Sequence, residues 1–217
     1  MRTKLDQMLD TMNMELIRMG AMCQEAISCA VHGMLCGQEE MTEKTFAIER
    51  AIDEKEREIE GLCMKLLLRQ QPVAKDLRVV SVALKMIRDM ERIGDQSADI
   101  AEISRHIEND NVFGRVHVKE MAEAAIKMVT DSINSFVARD VAAARKVVAD
   151  DDTVDGLFLE VRRELVAALA ENSVVGESCI DILMIAKYLE RIGDHATNIA
   201  EWVEYSVTGV HVGESVE

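Results

Sequence analysis

Apolar residues recur at three- and four-residue spacing along nearly the whole chain, and the recurrence stops at only a few places. This period predicts six long amphipathic helices. The expected spans are Leu5 to Cys36, Thr42 to Arg69, Lys75 to Ile107, Lys119 to Ala138, Val141 to Ala170 and Glu177 to Ser206. Thr42 is the expected N-cap of the second helix, whose apolar stripe is Ile48, Ile52, Ile59, Leu62 and Leu66. The breaks are chemically sensible. Gly37 closes the first helix, Gln70-Gln71-Pro72 the second, and Glu171-Asn172-Ser173 with Gly176 the fifth. Asn109-Asp110-Asn111 and Gly114 form the expected central linker, and the tail after Gly209 is expected to fray. Met19 to Gly37 holds a single charge, Glu25, but Glu25, Ser28 and His32 recur as a polar stripe. That stripe marks an amphipathic core helix rather than a membrane span.

The pattern is duplicated. Met90 to Glu102 matches Leu189 to Glu201 at eight of 13 positions, including Glu-Arg-Ile-Gly-Asp in both. Upstream, Glu49 to Asp53 corresponds to Asp151 to Asp155. The chain therefore reads as two copies of helix-helix-helix. The expected fold is all-α, two tandem three-helix bundles, with residues 1–110 as the first repeat and 111–217 as the second.

Composition narrows the core and the partners. Apolar residues make up 48% of the chain but aromatics only 3%, with 14 Met and one Pro. The core must be aliphatic and methionine-rich, which suits close helix packing. The net charge is −15 and both halves are acidic, which argues against nucleic acid as a partner. Cys23, Cys29, Cys36, Cys63 and Cys179 are odd in number and lack CxxC spacing, as expected of reduced thiols. The N-terminal residues show no apolar signal-peptide core, so a cytoplasmic location is expected.

Four acid-x-x-x-Asp motifs carry the candidate chemistry: Glu49/Asp53, Glu91/Asp95, Asp151/Asp155 and Glu190/Asp194. Spacing of i, i+4 sets both carboxylates on one helix face. Each repeat has one pair on its second helix and one on its third, and a short connection makes those helices antiparallel neighbours. Asp99 and Glu102 extend the first line. Glu201 extends the second, where Asn198 stands in place of an aspartate. On the third helix the apolar line Leu77, Val80, Leu84, Ile87 runs on into Glu91 and Gly94, and on the sixth Leu183 and Ala186 run into Glu190 and Gly193. Clustered carboxylates repel unless a cation or an arginine neutralises them. Hard cations such as magnesium, manganese or iron accept such oxygen sets. Arg92 and Arg191 are the alternative neutralising groups. A single such motif is usually a solvated helix face; four at equivalent places in two repeats favour a site.

The enzymatic alternative is a carboxylate-bridged metal oxidase, which would need Glu-x-x-His on two helices. The nearest approach is Glu102-x-x-x-His106, at the wrong spacing. His195 has Gln96 at the matching position, and His32, His106, His117 and His211 read as ordinary helix or loop residues. No nucleophile elbow, P-loop or dinucleotide turn is present. A helical bundle that merely stores metal is the other alternative.

The twin Glu-Arg-Ile-Gly-Asp segments, the stretch Leu189 to Trp202, and Gln70 to Arg78 resemble the PhoU family of bacterial phosphate-uptake regulators. The resemblance spans nearly the whole chain. It implies paired three-helix bundles whose acid-x-x-x-Asp motifs hold multinuclear metal, with Glu49, Asp53, Glu91, Asp95, Asp99, Asp151, Asp155, Glu190 and Asp194 as ligands. It further implies a non-catalytic, cytoplasmic protein, often a homodimer, that reaches the membrane only through its partners. Those partners would be the ATPase of the phosphate ABC transporter and a sensor histidine kinase. The implied role is to restrain the phosphate-starvation response.

Overall fold

The computed structural model describes residues 2–70, 73–105 and 116–210. Six α-helices account for almost all of them: α1 (Arg2–Cys36), α2 (Glu39–Gln70), α3 (Ala74–Ser104), α4 (Val118–Ala138), α5 (Val141–Glu171) and α6 (Gly176–Thr208). A short 3₁₀ turn, Ser173–Val175, joins α5 to α6. Among the described residues there is no strand. The central linker around Asn109 to Gly114 lies outside them.

The helix ends follow local chemistry. Gly37 adopts φ +63, a left-handed conformation that lets the chain reverse without a Cβ clash. Arg139 sits in the same region at φ 54 between α4 and α5, and Asp140 then caps α5 by accepting from the Ala143 amide at 3.0 Å. Asn172 caps the 3₁₀ turn in the same way through Val174. Thr42 does not cap α2. The helix already begins at Glu39, Thr42 is buried, and Glu39 and Glu40 occupy the first turn. Two acids at a helix N-terminus are stabilised by the helix dipole, so a pair that resembles loop polarity serves as the start.

Within each repeat the three helices pack together: α2 lies against α1 and α3, and α5 against α4 and α6. The repeats meet through α3 against α6 and α1 against α4. Four helices thus form the centre while α2 and α5 lie outside. A single contiguous core runs through both repeats, built from residues such as Met12, Leu16, Ile27, Ile52, Ile59, Met90, Ile93 and Met121. Each such fully buried side chain contributes about 1.5–3 kcal/mol. Gly20 on α1 faces Ile133 on α4, and a Cβ there would collide with the isoleucine tip at 2.3 Å. None of the five cysteines is in a disulfide; four are buried and Cys36 is exposed. The polar stripe of Glu25, Ser28 and His32 faces solvent. No helix among the described residues is long and apolar enough to cross a membrane.

The third-helix apolar line is shifted from expectation. Leu77 is 47% exposed, and the buried line of α3 is Val79 and Val80, Ala83, Met86 and Ile87, Met90, Ile93 and Gly94. A helix packed by several neighbours, here α1, α2 and α6, buries a broad face. Of the expected line, Val80 and Ile87 lie within that face, and Leu77 and Leu84 lie at its edge. The acids therefore sit where core gives way to solvent.

Candidate metal centre

Glycine sets the spacing between the motif helices. A Cβ on Gly94 would lie 3.1 Å from Ile52 Cδ1, one residue before Asp53. A Cβ on Gly193 would lie 3.4 Å from Asp151 Oδ1 itself. The Glu-Arg-Ile-Gly-Asp glycines thus let α3 approach α2, and α6 approach α5, at the level of the acids.

In the first repeat Glu49, Asp53 and Asp95 each present a carboxylate oxygen within 4.8 Å of the others. All three are half-buried. Glu91 adjoins the group one turn along α3, and its buried Oε2 has no hydrogen-bond partner. Burial first, and Asp53 and Asp95 next, push the Glu49 carboxyl up from its ordinary pKa. Burial and then Asp95 push Glu91 up as well. Arginines touch the edges only: Arg92 lies 3.0 Å from Asp95 and 3.5 Å from Glu91, and Arg57 lies 3.5 Å from Asp53. Each serves carboxylates of its own helix. Arg88 does cross from α3 to α2, but to Glu56, at 3.8 Å. Among the described residues, then, no cation bridges Glu49 or Asp53 to Glu91 or Asp95.

In the second repeat Asp151, Asp155, Glu190 and Asp194 face the same α5–α6 groove more loosely, and no three of them share the 4.8 Å spacing. Burial, followed by Asp155 and Asp194, raises the Asp151 pKa to about 6. Burial and then Glu190 raise Asp194, while Lys187 pulls it down. Lys187 forms an ion pair with Glu190 and lies 5.5 Å over the Phe158 ring. Its repeat counterpart is Arg88. Phe158 stands where the first repeat has Glu56, so the lysine turns to Glu190 instead.

Asp99 is placed apart from the three-carboxylate group. It accepts from the Tyr188 hydroxyl across the α3–α6 seam and faces Arg191, while burial and then Asp95 raise its pKa. Glu102 is exposed and Glu201 half-buried, each toward the end of its helix. Three groupings were not anticipated from sequence. Glu56 bears on Glu91, and its place one turn past Asp53 could have signalled this. His195 bonds Asp89 at 2.9 Å across the seam. His117, read as an ordinary residue, lies beside Glu164 and Glu160. Its Nδ1 donates to Glu164 at 2.5 Å, and its backbone N–H donates to the same carboxylate at 3.0 Å. Those two glutamates are four apart on α5, the signal that found the other motifs.

The donor set fits a hard cation. In the first repeat the ligands are all oxygen, mutually repelled and half-buried, and beside them the buried Glu91 Oε2 has only the Arg92 guanidinium at 3.5 Å and no hydrogen bond. The fold and the site together define a duplicated three-helix bundle with a carboxylate groove in each repeat. The PhoU domain family matches residues 16–104 and 118–203, once in each repeat, and the chain belongs to that family. It is 32% identical to the phosphate-specific transport system accessory protein PhoU homolog of Clostridium acetobutylicum, over 94% of both chains. It is 31% identical to homolog 1 of Thermotoga maritima, over 95% of this chain and 90% of that one. The crystal structure of PhoU from Pseudomonas aeruginosa superposes with a TM-score of 0.86 at 30% identity, covering 94% of this chain and 99% of that one. A phosphate transport system regulatory protein PhoU from Streptococcus pneumoniae shares the fold, with a TM-score of 0.87 at 24% identity and coverage of 97% and 100%.

Proposed function

We propose that this protein is a non-catalytic accessory regulator of phosphate uptake. It binds the ATPase of a phosphate ABC transporter and a sensor histidine kinase on the cytoplasmic side, and it holds the phosphate-starvation response off while phosphate is plentiful. The observation that carries the reading is the family match in both repeats, together with relatives named as phosphate-specific transport accessory proteins. The net charge of −15 supports control through proteins rather than through DNA.

Metal belongs to this reading as a staple and a signal. Glu49, Asp53, Glu91 and Asp95 would hold one cluster, and Asp151, Asp155, Glu190 and Asp194 the other. A bound cation neutralises the facing acids and ties α2 to α3 and α5 to α6. Iron, manganese and magnesium all accept such oxygen ligands.

Deleting the gene should switch on phosphate-scavenging genes in phosphate-rich medium, and purified protein should bind the transporter ATPase or the kinase. Elemental analysis should find metal that falls when Glu91 and Glu190 are replaced by glutamine. Normal repression in the deletion strain, together with oxygen-consuming turnover by the metal-loaded protein, would reassign the chain as an oxidase.

A further inference from the structure

The outer face of α5 changes character along its length. Asp152 and Asp155 occupy its N-terminal half. From Gly156 onward the same face carries Leu159, Arg162, Arg163 and Val166, and these line a groove of about 670 Å³. Leu159 is 52% exposed and Val166 60% exposed. They stand seven residues apart, two turns along one stripe. Arg162 and Arg163 flank that stripe and are exposed, and among the described residues neither has a carboxylate partner.

Gly156 leaves the start of this face open. A Cβ there would meet nothing within 4 Å, so no internal packing requires glycine. Glycine weakens a helix interior relative to alanine. What it provides here is backbone open to close approach from outside. The equivalent face of α2 serves as an internal control. It carries Glu54, Arg57, Glu60, Gly61 and Met64, with charges of both signs, and its Gly61 is as open as Gly156, so the aliphatic and arginine pattern rather than the glycine distinguishes the α5 face. The repeats share the motif acids but not this surface.

We infer that Gly156, Leu159, Arg162, Arg163 and Val166 form a docking groove for an amphipathic helix of a partner protein, one whose apolar stripe is edged by acidic residues. Leucine-sized side chains would seat on Leu159 and Val166 over Gly156, and flanking carboxylates would pair with the two guanidiniums. An anionic membrane would face the acidic surface of the whole protein, whereas a single helix meets only the local arginine edge, so the net charge of −15 disfavours the membrane more than the helix. The inference rests on the adaptor reading and names where one partner binds.

The test uses full-length protein and two designed helical peptides. Both carry one leucine stripe, edged by glutamate in the first and by lysine in the second, and binding is read by fluorescence anisotropy. The glutamate-edged peptide should bind at least tenfold tighter, and added salt should weaken it. Leu159→Glu should reduce binding tenfold or more with an unchanged circular dichroism spectrum. Arg162→Glu with Arg163→Glu should reverse the peptide preference. Met64→Glu, at the exposed α2 counterpart of Val166, should leave peptide binding unchanged. Equal binding of both peptides, or indifference to the α5 variants, would overturn the inference. So would self-association in sedimentation, or binding to phosphatidylglycerol vesicles, that the α5 variants abolish while leaving peptide binding intact. If the α5 variants lose the peptide preference without losing repression in cells, the groove is not the regulatory surface. If the deletion strain represses normally, the adaptor reading itself fails.

Discussion

Gln96 and His195 occupy the same position in the two repeats, and they meet each other across the α3–α6 seam at 3.3 Å. The seam is close to a two-fold arrangement within one chain. Its flanks confirm this. The repeat pairs Asp89 with Tyr188 and Asp99 with Asn198. On one side Asn198 donates to Asp89 at 3.2 Å, and on the other Tyr188 donates to Asp99. His195 Nδ1 donates to Asp89 at 2.9 Å, which leaves Nε2 to accept from the Gln96 amide. The seam thus follows the symmetry of the repeat, but with different residues in matching roles.

This arrangement makes a double-mutant cycle informative. Asp89→Ala removes the acceptor for both His195 and Asn198, and His195→Ala leaves Asp89 with Asn198 alone. Each single change should cost about 1–3 kcal/mol, because it strands a half-buried polar partner. The pair should show a coupling of about 0.5–1.5 kcal/mol in urea unfolding. Strict additivity would mean that the Asp89–His195 contact contributes nothing to the seam.

The seam also shows where reading the sequence stops. The six helices and their duplication are legible because a 3.6-residue apolar period and a repeated Glu-Arg-Ile-Gly-Asp segment are local signals. The approach of Glu49 and Asp53 to Asp95 follows from i, i+4 spacing on helices that must pair. The diversion of Asp99 to Tyr188 does not follow. It depends on how α3 crosses α6, which is fixed by packing between repeats. The same holds for Leu77, whose place in the apolar line suggests core but whose side chain lies on the edge. Lys187 on Glu190 is a third case. It depends on Phe158 replacing a glutamate on a different helix, so the two grooves differ despite matching motifs.

Two mid-helix glycines should respond in opposite directions to alanine. Gly94→Ala places a Cβ 3.1 Å from Ile52 Cδ1 and 3.3 Å from Ile52 Cγ2. Overpacking of this kind costs about 1–3 kcal/mol and outweighs the gain in helix propensity. Gly156→Ala meets open space and should stabilise by about 0.5–1 kcal/mol. Thermal melts of the two variants should bracket the parent protein. A stable Gly94→Ala variant would show that the close α2–α3 approach is not needed to form the acidic groove.

The acidic grooves make a signed prediction about pH. Asp151 has a folded pKa near 6 against an ordinary value of 3.8, raised by burial and then by Asp155 and Asp194. Between those values the folded protein holds a proton that the unfolded chain has lost. The contribution of Asp151 to stability therefore falls as pH rises from about 4 to about 6, and the penalty is fully present above that. Glu49, Glu91, Asp99 and Asp194 are shifted in the same direction and add to it. Asp151→Asn should raise the melting temperature of metal-free protein at pH 7.5 and have little effect at pH 4. Metal reverses the balance, because it binds the ionised groups and competes with protons. Added manganese should stabilise the parent protein at pH 7.5, lose most of that effect below pH 6, and stabilise Asp151→Asn less at every pH. Equal stabilisation of the variant and the parent would place the ion elsewhere. If Asp151→Asn leaves the metal-free melting temperature unchanged at both pH values, repulsion among these carboxylates is not what a cation relieves.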